Sequence, residues 1–137
     1  MLRLYSFIFY IIYNSYYKHG NYKNDNPPFT VFFIFAISFF SQLLLLIEVY
    51  RVIQDPYTRY LGSKSILRAL GFLCFIPTYL LFYLNRRYEV IYNTYKEDPL
   101  ANSFPGKVIG WSVLIFCILS PFLFSLIRNK IYFDAWT

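Results

Sequence analysis

Three stretches without a charged side chain constrain this sequence more than any other feature: Phe29 to Ile47, Ala69 to Asn85 and Val108 to Ile127. They run 19, 17 and 20 residues. A helix crossing a bilayer needs roughly 20 mostly apolar residues, with about 17 to 25 tolerated. The outer two qualify directly, and the middle one does so once Ser65, Ile66 and Leu67 join it. The expected fold is therefore an all-α membrane protein with three transmembrane helices, over 29–53, 65–85 and 107–127, in one membrane domain. A chain of 137 residues has room for no more.

Composition agrees. Charged residues make up 15%, against about 25% in soluble domains, while hydrophobic residues reach 58%. A small soluble fold would leave too much of that surface in water. The tyrosines mark the boundaries, since amphipathic rings prefer the headgroup level. None lies between Phe29 and Val49 or between Val108 and Ile131; they gather at Tyr50, Tyr57 and Tyr60, from Tyr83 to Tyr95, and near the N terminus. Trp111 and Trp136 also fall near predicted boundaries.

The segment 4–17 is too short for a span. Its polar positions Ser6, Tyr10, Tyr13, Asn14 and Tyr17 repeat at helical spacing, opposite Leu4, Ile8 and Ile11. That pattern predicts a short amphipathic helix in the interface plane before the first span. A signal peptide is the competing reading, but "YNSYYKHG" offers no small-x-small cleavage site, so retention is expected. The Gly, Asn and Pro of His19 to Phe29 predict a loop. Asp55-Pro56 closes the first span, and Ser63 or Ser65 is placed to cap the second. The second span is expected to continue as a helix to about residue 97, where Pro99 stops it. "LANSFPGK" turns the chain into the third, and 128–137 reads as a tail.

Lys and Arg flank the apolar runs, so the net charge of +6 belongs to membrane insertion, and no nucleic-acid partner is expected. The N-terminal segment and second loop hold seven basic residues, the first loop and tail six, which decides no orientation. The Arg86-Arg87 pair directly after a span is the feature that puts that loop, and the N terminus with it, in the cytoplasm. Arg86, Arg87, Tyr88 and Trp111 are the expected interfacial anchors.

No span carries a central Asp, Lys or Arg, which argues against a midplane proton relay. The first span has Ser38, Ser41 and Gln42, with Glu48 just beyond, all within about 120° at about 100° per residue. This stripe reads as pore-lining or as polar interhelical contact, and Arg51 is the simplest partner for Glu48. Small residues let helices approach in lipid: Gly71, Cys74 and Thr78 share one face of the second span, and Gly106, Gly110, Cys117 and Pro121 one face of the third. These are expected to form a seam between spans two and three, or between protomers. Pro77 and Pro121 predict kinks. Cys74 and Cys117 read as small core residues and leave the redox compartment open. A single histidine, His19, cannot build a two-histidine metal site, and neither a nucleophile turn, a C-x-x-C pair nor a glycine-rich phosphate loop accompanies it. No catalytic residue, metal or cofactor is expected.

With "NRRYEVIYNTYKED" and the opening "LYSFIFYIIYNSYYKHG", the chain resembles small Tyr/Phe-rich multi-pass membrane proteins of Bacteroidetes-type, AT-rich bacteria. The resemblance implies the same plan of Tyr-rich start, Pro-containing turn, two spans, basic helix and last span. It also implies a bacterial inner (cytoplasmic) membrane, with an organellar inner membrane as the alternative, and it carries no catalytic residue. The functional expectation is a non-catalytic membrane protein whose partners are the bilayer and itself or other membrane proteins. It would act as a homo-oligomer or a small subunit of a complex. The alternative is an oligomeric channel or membrane-disrupting effector, for example in bacterial defence.

Overall fold

The computed structural model describes residues 2–20, 27–57 and 64–134. Among them there is no strand. Helix α1 covers Leu2–Tyr17, α2 Pro27–Gln54, α3 Lys64–Leu73, α4 Phe75–Thr78, α5 Arg87–Tyr95, α6 Pro99–Asn102 and α7 Phe104–Phe133. Three helical segments are long and apolar enough to cross a membrane: Pro28–Gln54, Lys64–Tyr95 and Phe104–Phe133. The chain is an all-α membrane protein with three such helices behind an N-terminal helix. Tyr60, Ser63, Trp136 and most of the loop expected over His19 to Phe29 lie outside the described residues. Ser65 sits inside α3 and does not cap it.

Local chemistry sets the ends. Proline fits the first helical turn, where its missing N–H would be unpaired anyway, and prolines open α2, α6 and α7. The Asp98 carboxylate accepts from the Ala101 amide at 2.8 Å to cap α6, and Ser103 Oγ accepts from the Gly106 amide at 3.1 Å to cap α7. As expected, the chain is extended at Asp98, before Pro99 (φ −70°, ψ 120°).

The second span is not one rod. Pro77 cannot donate to the carbonyl four residues back, and around it the helix divides into α3, α4 and a π-helical turn, Tyr79–Tyr83. The continuation to about residue 97 is interrupted as well. Leu84 is extended, and Asn85 and Arg86 both adopt left-handed backbone angles (φ 54°) before α5 begins at Arg87. Asn tolerates that region; Arg does so at a cost. The break lets α5 fold back onto α1. The tail differs too, because 128–133 extends α7: Arg128 is buried against α2 and holds that turn in place.

Side-chain pairs give the directions. Gln42 meets Ser120 and Glu48 meets Arg128, so α2 and α7 run parallel. Gly71 faces Phe40 and Phe75 packs on Phe32, so α3–α4 runs antiparallel to α2. Phe9 packs on Phe35 and Tyr5 on Phe39, so α1 is antiparallel to α2, and Tyr13 on Tyr88 with Phe7 on Tyr95 makes α5 antiparallel to α1.

The N-terminal helix is the centre of the bundle. Every residue from Ile8 to Asn14 is buried, on both the apolar and the polar side. A helix surrounded in this way is a core element, wrapped here by α2, α5 and α7. Phe9 stacks on Phe82 at 4.4 Å, and Phe35 meets Phe82 edge-on at 4.9 Å. Leu4 lies in a crevice with Gln42 and Cys117, near the middle of α2 and α7. From there α1, about 24 Å long at 1.5 Å per residue, descends to the end of the bundle where α2 and α7 begin.

This arrangement changes the expected seam. Extensive packing of α3 or α4 on α7 is absent among the described residues; α2 separates the spans, and α1 fills the remaining side. Gly106 lies against the Leu100 carbonyl, and a Cβ at Gly110 would stand 2.7 Å from Ile11 Cδ1. The small-residue face of α7 therefore admits α6 and α1, within one chain. On the second span Cys74 and Thr78 are buried and Thr78 Oγ1 donates to the Cys74 carbonyl at 3.0 Å, while Gly71 borders an open groove.

Candidate functional site

The polar stripe of α2 faces α7. Pro121 lacks the N–H that would bond the carbonyl of Cys117, so that carbonyl would be orphaned in the bundle. Gln42 supplies the missing donor: its Nε2 reaches the Cys117 oxygen at 2.6 Å and Ser120 Oγ at 2.9 Å. Ser120 Oγ donates to the same carbonyl at 3.1 Å. Ser38 shares a crevice with Cys117, and Ser41 is buried on the same helix.

Two turns further on, Glu48 is held by two arginines. Its Oε2 accepts from Arg128 Nη1 at 2.7 Å, and its Oε1 lies 3.4 Å from Arg51 Nη1. The Glu48 and Arg128 side chains are 4% and 5% exposed. The expected pairing with Arg51 is present, but the closer, buried partner is Arg128, a residue of the expected tail. A signal for it existed. Glu48 follows Ile47 and Arg128 follows Ile127, each directly after an uncharged stretch, and in a three-span chain the first and third spans run the same way. The two charges must then end at the same depth.

All four stripe residues thus lie at the α2–α7 contact, with Gln42 and Glu48 joined to named partners on α7. A carboxylate clamped by two guanidiniums is an engaged acceptor. Among the described residues no three His, Cys, Asp or Glu side chains converge as metal ligands.

A second polar constellation joins α1 to α5 and α6. Tyr10 donates to Asn102 Oδ1 at 2.8 Å, and Tyr13 and Tyr17 pack on Tyr92. The Asn14 amide oxygen accepts from the His19 backbone at 3.1 Å, which orients the amide so that its Nδ2 donates to His19 Nε2 at 3.1 Å. In the neutral ring the proton is then on Nδ1, which lies 3.3 Å from the Tyr92 hydroxyl. His19, at the start of the expected loop, is exposed but held by these bonds. Burial pushes the Tyr10 and Tyr13 phenols above their ordinary range; the Asn102 hydrogen bond opposes the rise at Tyr10, and the phenols of Tyr17 and Tyr88 add to it at Tyr13.

Of the expected anchors, Arg86 is exposed and pairs with Glu89 at 3.8 Å. Arg87 donates to the Leu80 carbonyl at 3.3 Å, satisfying the frayed end of the second span. Tyr88 and Trp111 are half-buried against the core. No protein-family model matches the sequence, and no match is found among curated proteins or solved structures.

Proposed function

We propose that this is a non-catalytic integral membrane protein that works by helix association, as a homo-oligomer or as a small subunit of a membrane complex. The observation that carries the reading is the state of the polar stripe. Gln42, Ser120, Glu48 and Arg128 are engaged between α2 and α7 of one chain, which favours a scaffold over a channel whose stripe faces a lumen. The second span offers the surface for contact, since α3 has no buried residue and Gly71 lies in an apolar groove with Ala36, Ile37, Phe40, Phe72 and Phe75. Small residues in such grooves permit close helix approach. The resemblance to bacterial membrane proteins supports the inner membrane as the location.

The test is single-molecule photobleaching of the labelled chain in dilute vesicles, with native electrophoresis from its own membrane and planar-bilayer recording alongside. Several bleaching steps support the homo-oligomer, with Gly71→Leu reducing them. Single steps with co-migration alongside another membrane protein support the subunit. A chain that bleaches once and migrates alone, or that conducts ions, overturns the association reading.

A further inference from the structure

Helix α1 starts in the middle of the bundle, and its first turn carries an arginine. The centre of the first uncharged stretch is Ser38, nine residues from each end, and Cys117 lies nine residues in from Val108 and ten short of Ile127. Both Ser38 and Cys117 line the crevice that holds Leu4. Tyr5 packs on Phe39 at 5.9 Å, and the Arg3 carbonyl accepts from the Tyr95 hydroxyl at 3.2 Å, so this turn is held from two sides. Arg3 lies within about 1.5 Å, one residue's rise, of the depth of Leu4. It is exposed, as are Leu4 (55%) and Tyr5 (40%) beside it. A single cation is thus set in an apolar outer flank half-way along the uncharged stretches.

A charge at that depth calls for an opposite charge. In a hydrocarbon layer about 30 Å thick the phosphates of either leaflet lie about 15 Å away, and reaching up to headgroups is a device of residues near span ends. No carboxylate among the described residues forms an ion pair with Arg3, and each of them is already engaged. Glu48 is held by Arg128 and Arg51, Glu89 by Arg86, Glu97 by Lys96 and Asp134 by Lys130. Asp55 accepts from the Tyr57 amide, and Asp98 caps α6. Residues 21–26, the one undescribed stretch with an acidic side chain, join Gly20 to Pro27 beyond the opposite end of α1. A second copy brings the same engaged acids, so charge complementarity favours a different chain.

We propose that Arg3 and the exposed start of α1 seat a transmembrane helix of a different subunit, one that carries an aspartate or glutamate at mid-bilayer depth. The inference rests on the reading of the chain as a membrane protein that works by association, and it selects the subunit over the homo-oligomer. Arg3 supplies the charge, and Leu4 and Tyr5 supply the apolar contact around it.

The test uses the full chain with Cys74→Ala and Cys117→Ala, labelled with a donor dye through Asn93→Cys, an exposed position on α5. In phosphatidylcholine vesicles it is mixed with acceptor-labelled polyleucine helices that differ only in a central Glu, Gln or Lys. Energy transfer should show the Glu helix bound on the order of tenfold more tightly than the Gln helix. The preference should vanish in Arg3→Leu, survive in Arg3→Lys and pass to the Lys helix in Arg3→Glu. Arg68→Leu removes a cation from an exposed position on α3 and should leave it unchanged. Equal binding of the Glu and Gln helices, or a preference that persists in Arg3→Leu, overturns the proposal. A preference that appears only when Glu sits at the end of the host helix places Arg3 at the surface and overturns it as well. Transfer between labelled copies of the chain that Arg3→Leu removes assigns the arginine to a second copy. Native electrophoresis from the chain's own membrane separates this inference from the association reading. Co-migration with another membrane protein that survives in Arg3→Leu removes the arginine's part and leaves association standing, whereas a wild-type chain that migrates alone overturns both.

Discussion

Glu48 and Arg128 form the buried ion pair of the α2–α7 contact. Removing one member of a buried ion pair leaves an uncompensated charge, which costs about 3–5 kcal/mol, whereas replacing both by apolar groups is often neutral. Glu48→Leu should therefore lower unfolding stability in detergent by about that amount. The double variant Glu48→Leu/Arg128→Leu should recover most of it, as chemical denaturation would measure. The buried phenols of α1 give a second prediction. A free phenol ionises near pH 10, while Tyr10 and Tyr13 hold their protons to higher pH in the fold. Between those values the unfolded chain releases protons that the folded one keeps, so their contribution is complete below about pH 10 and is lost as pH rises beyond it. The unfolding midpoint should decline above about pH 10, and less steeply in Tyr10→Phe/Tyr13→Phe.

At the scale of helices, the kink at Pro121 and the side chain of Gln42 form one device. Gln42→Leu leaves the Cys117 carbonyl with Ser120 alone and should cost about 1–2 kcal/mol. In a Pro121→Ala background the restored amide can take that carbonyl, so the same substitution should cost much less. A double-mutant cycle in detergent reads the difference. The three spans, the stop before Pro99 and the helix start at Pro105 were legible in the sequence because hydropathy and proline act locally. The environment of α1 was not. Its Tyr and Asn residues mimic a water-facing stripe, and the rings of α5, with Asn102 of α6 and His19 as hydrogen-bond partners, make the polar face buriable. The turn at Asn85 and Arg86 was hidden for the same reason, since docking of α5 on α1 holds Arg86 in a conformation it does not favour alone. Arg128 was misplaced because charge after an apolar run is the ordinary sign of a membrane exit, and its partner lies 80 positions away.

For the whole molecule, parallel α2 and α7 place their C-terminal ends on one side and the α1–α5 pair on the other. In a background with Cys74 and Cys117 replaced by Ala, single cysteines at Tyr57 and Asp134 should react with an impermeant maleimide from the same side of sealed vesicles. A cysteine at Glu89 should react only from the opposite side. Protection of Tyr57 and Asp134 in intact cells, with Glu89 labelled, would invert the orientation argued from Arg86-Arg87 and leave the topology intact.

The burial of α1 also dictates an order of events at the ribosome. Its Tyr10 hydroxyl bonds Asn102, 92 positions downstream, and its Ile11 fills the space left by Gly110. The helix made first can meet α2, Phe82 and α5 as they emerge, but its berth is complete only once α6 and α7 have followed. Its seating beside α7 is the contact that closes the bundle.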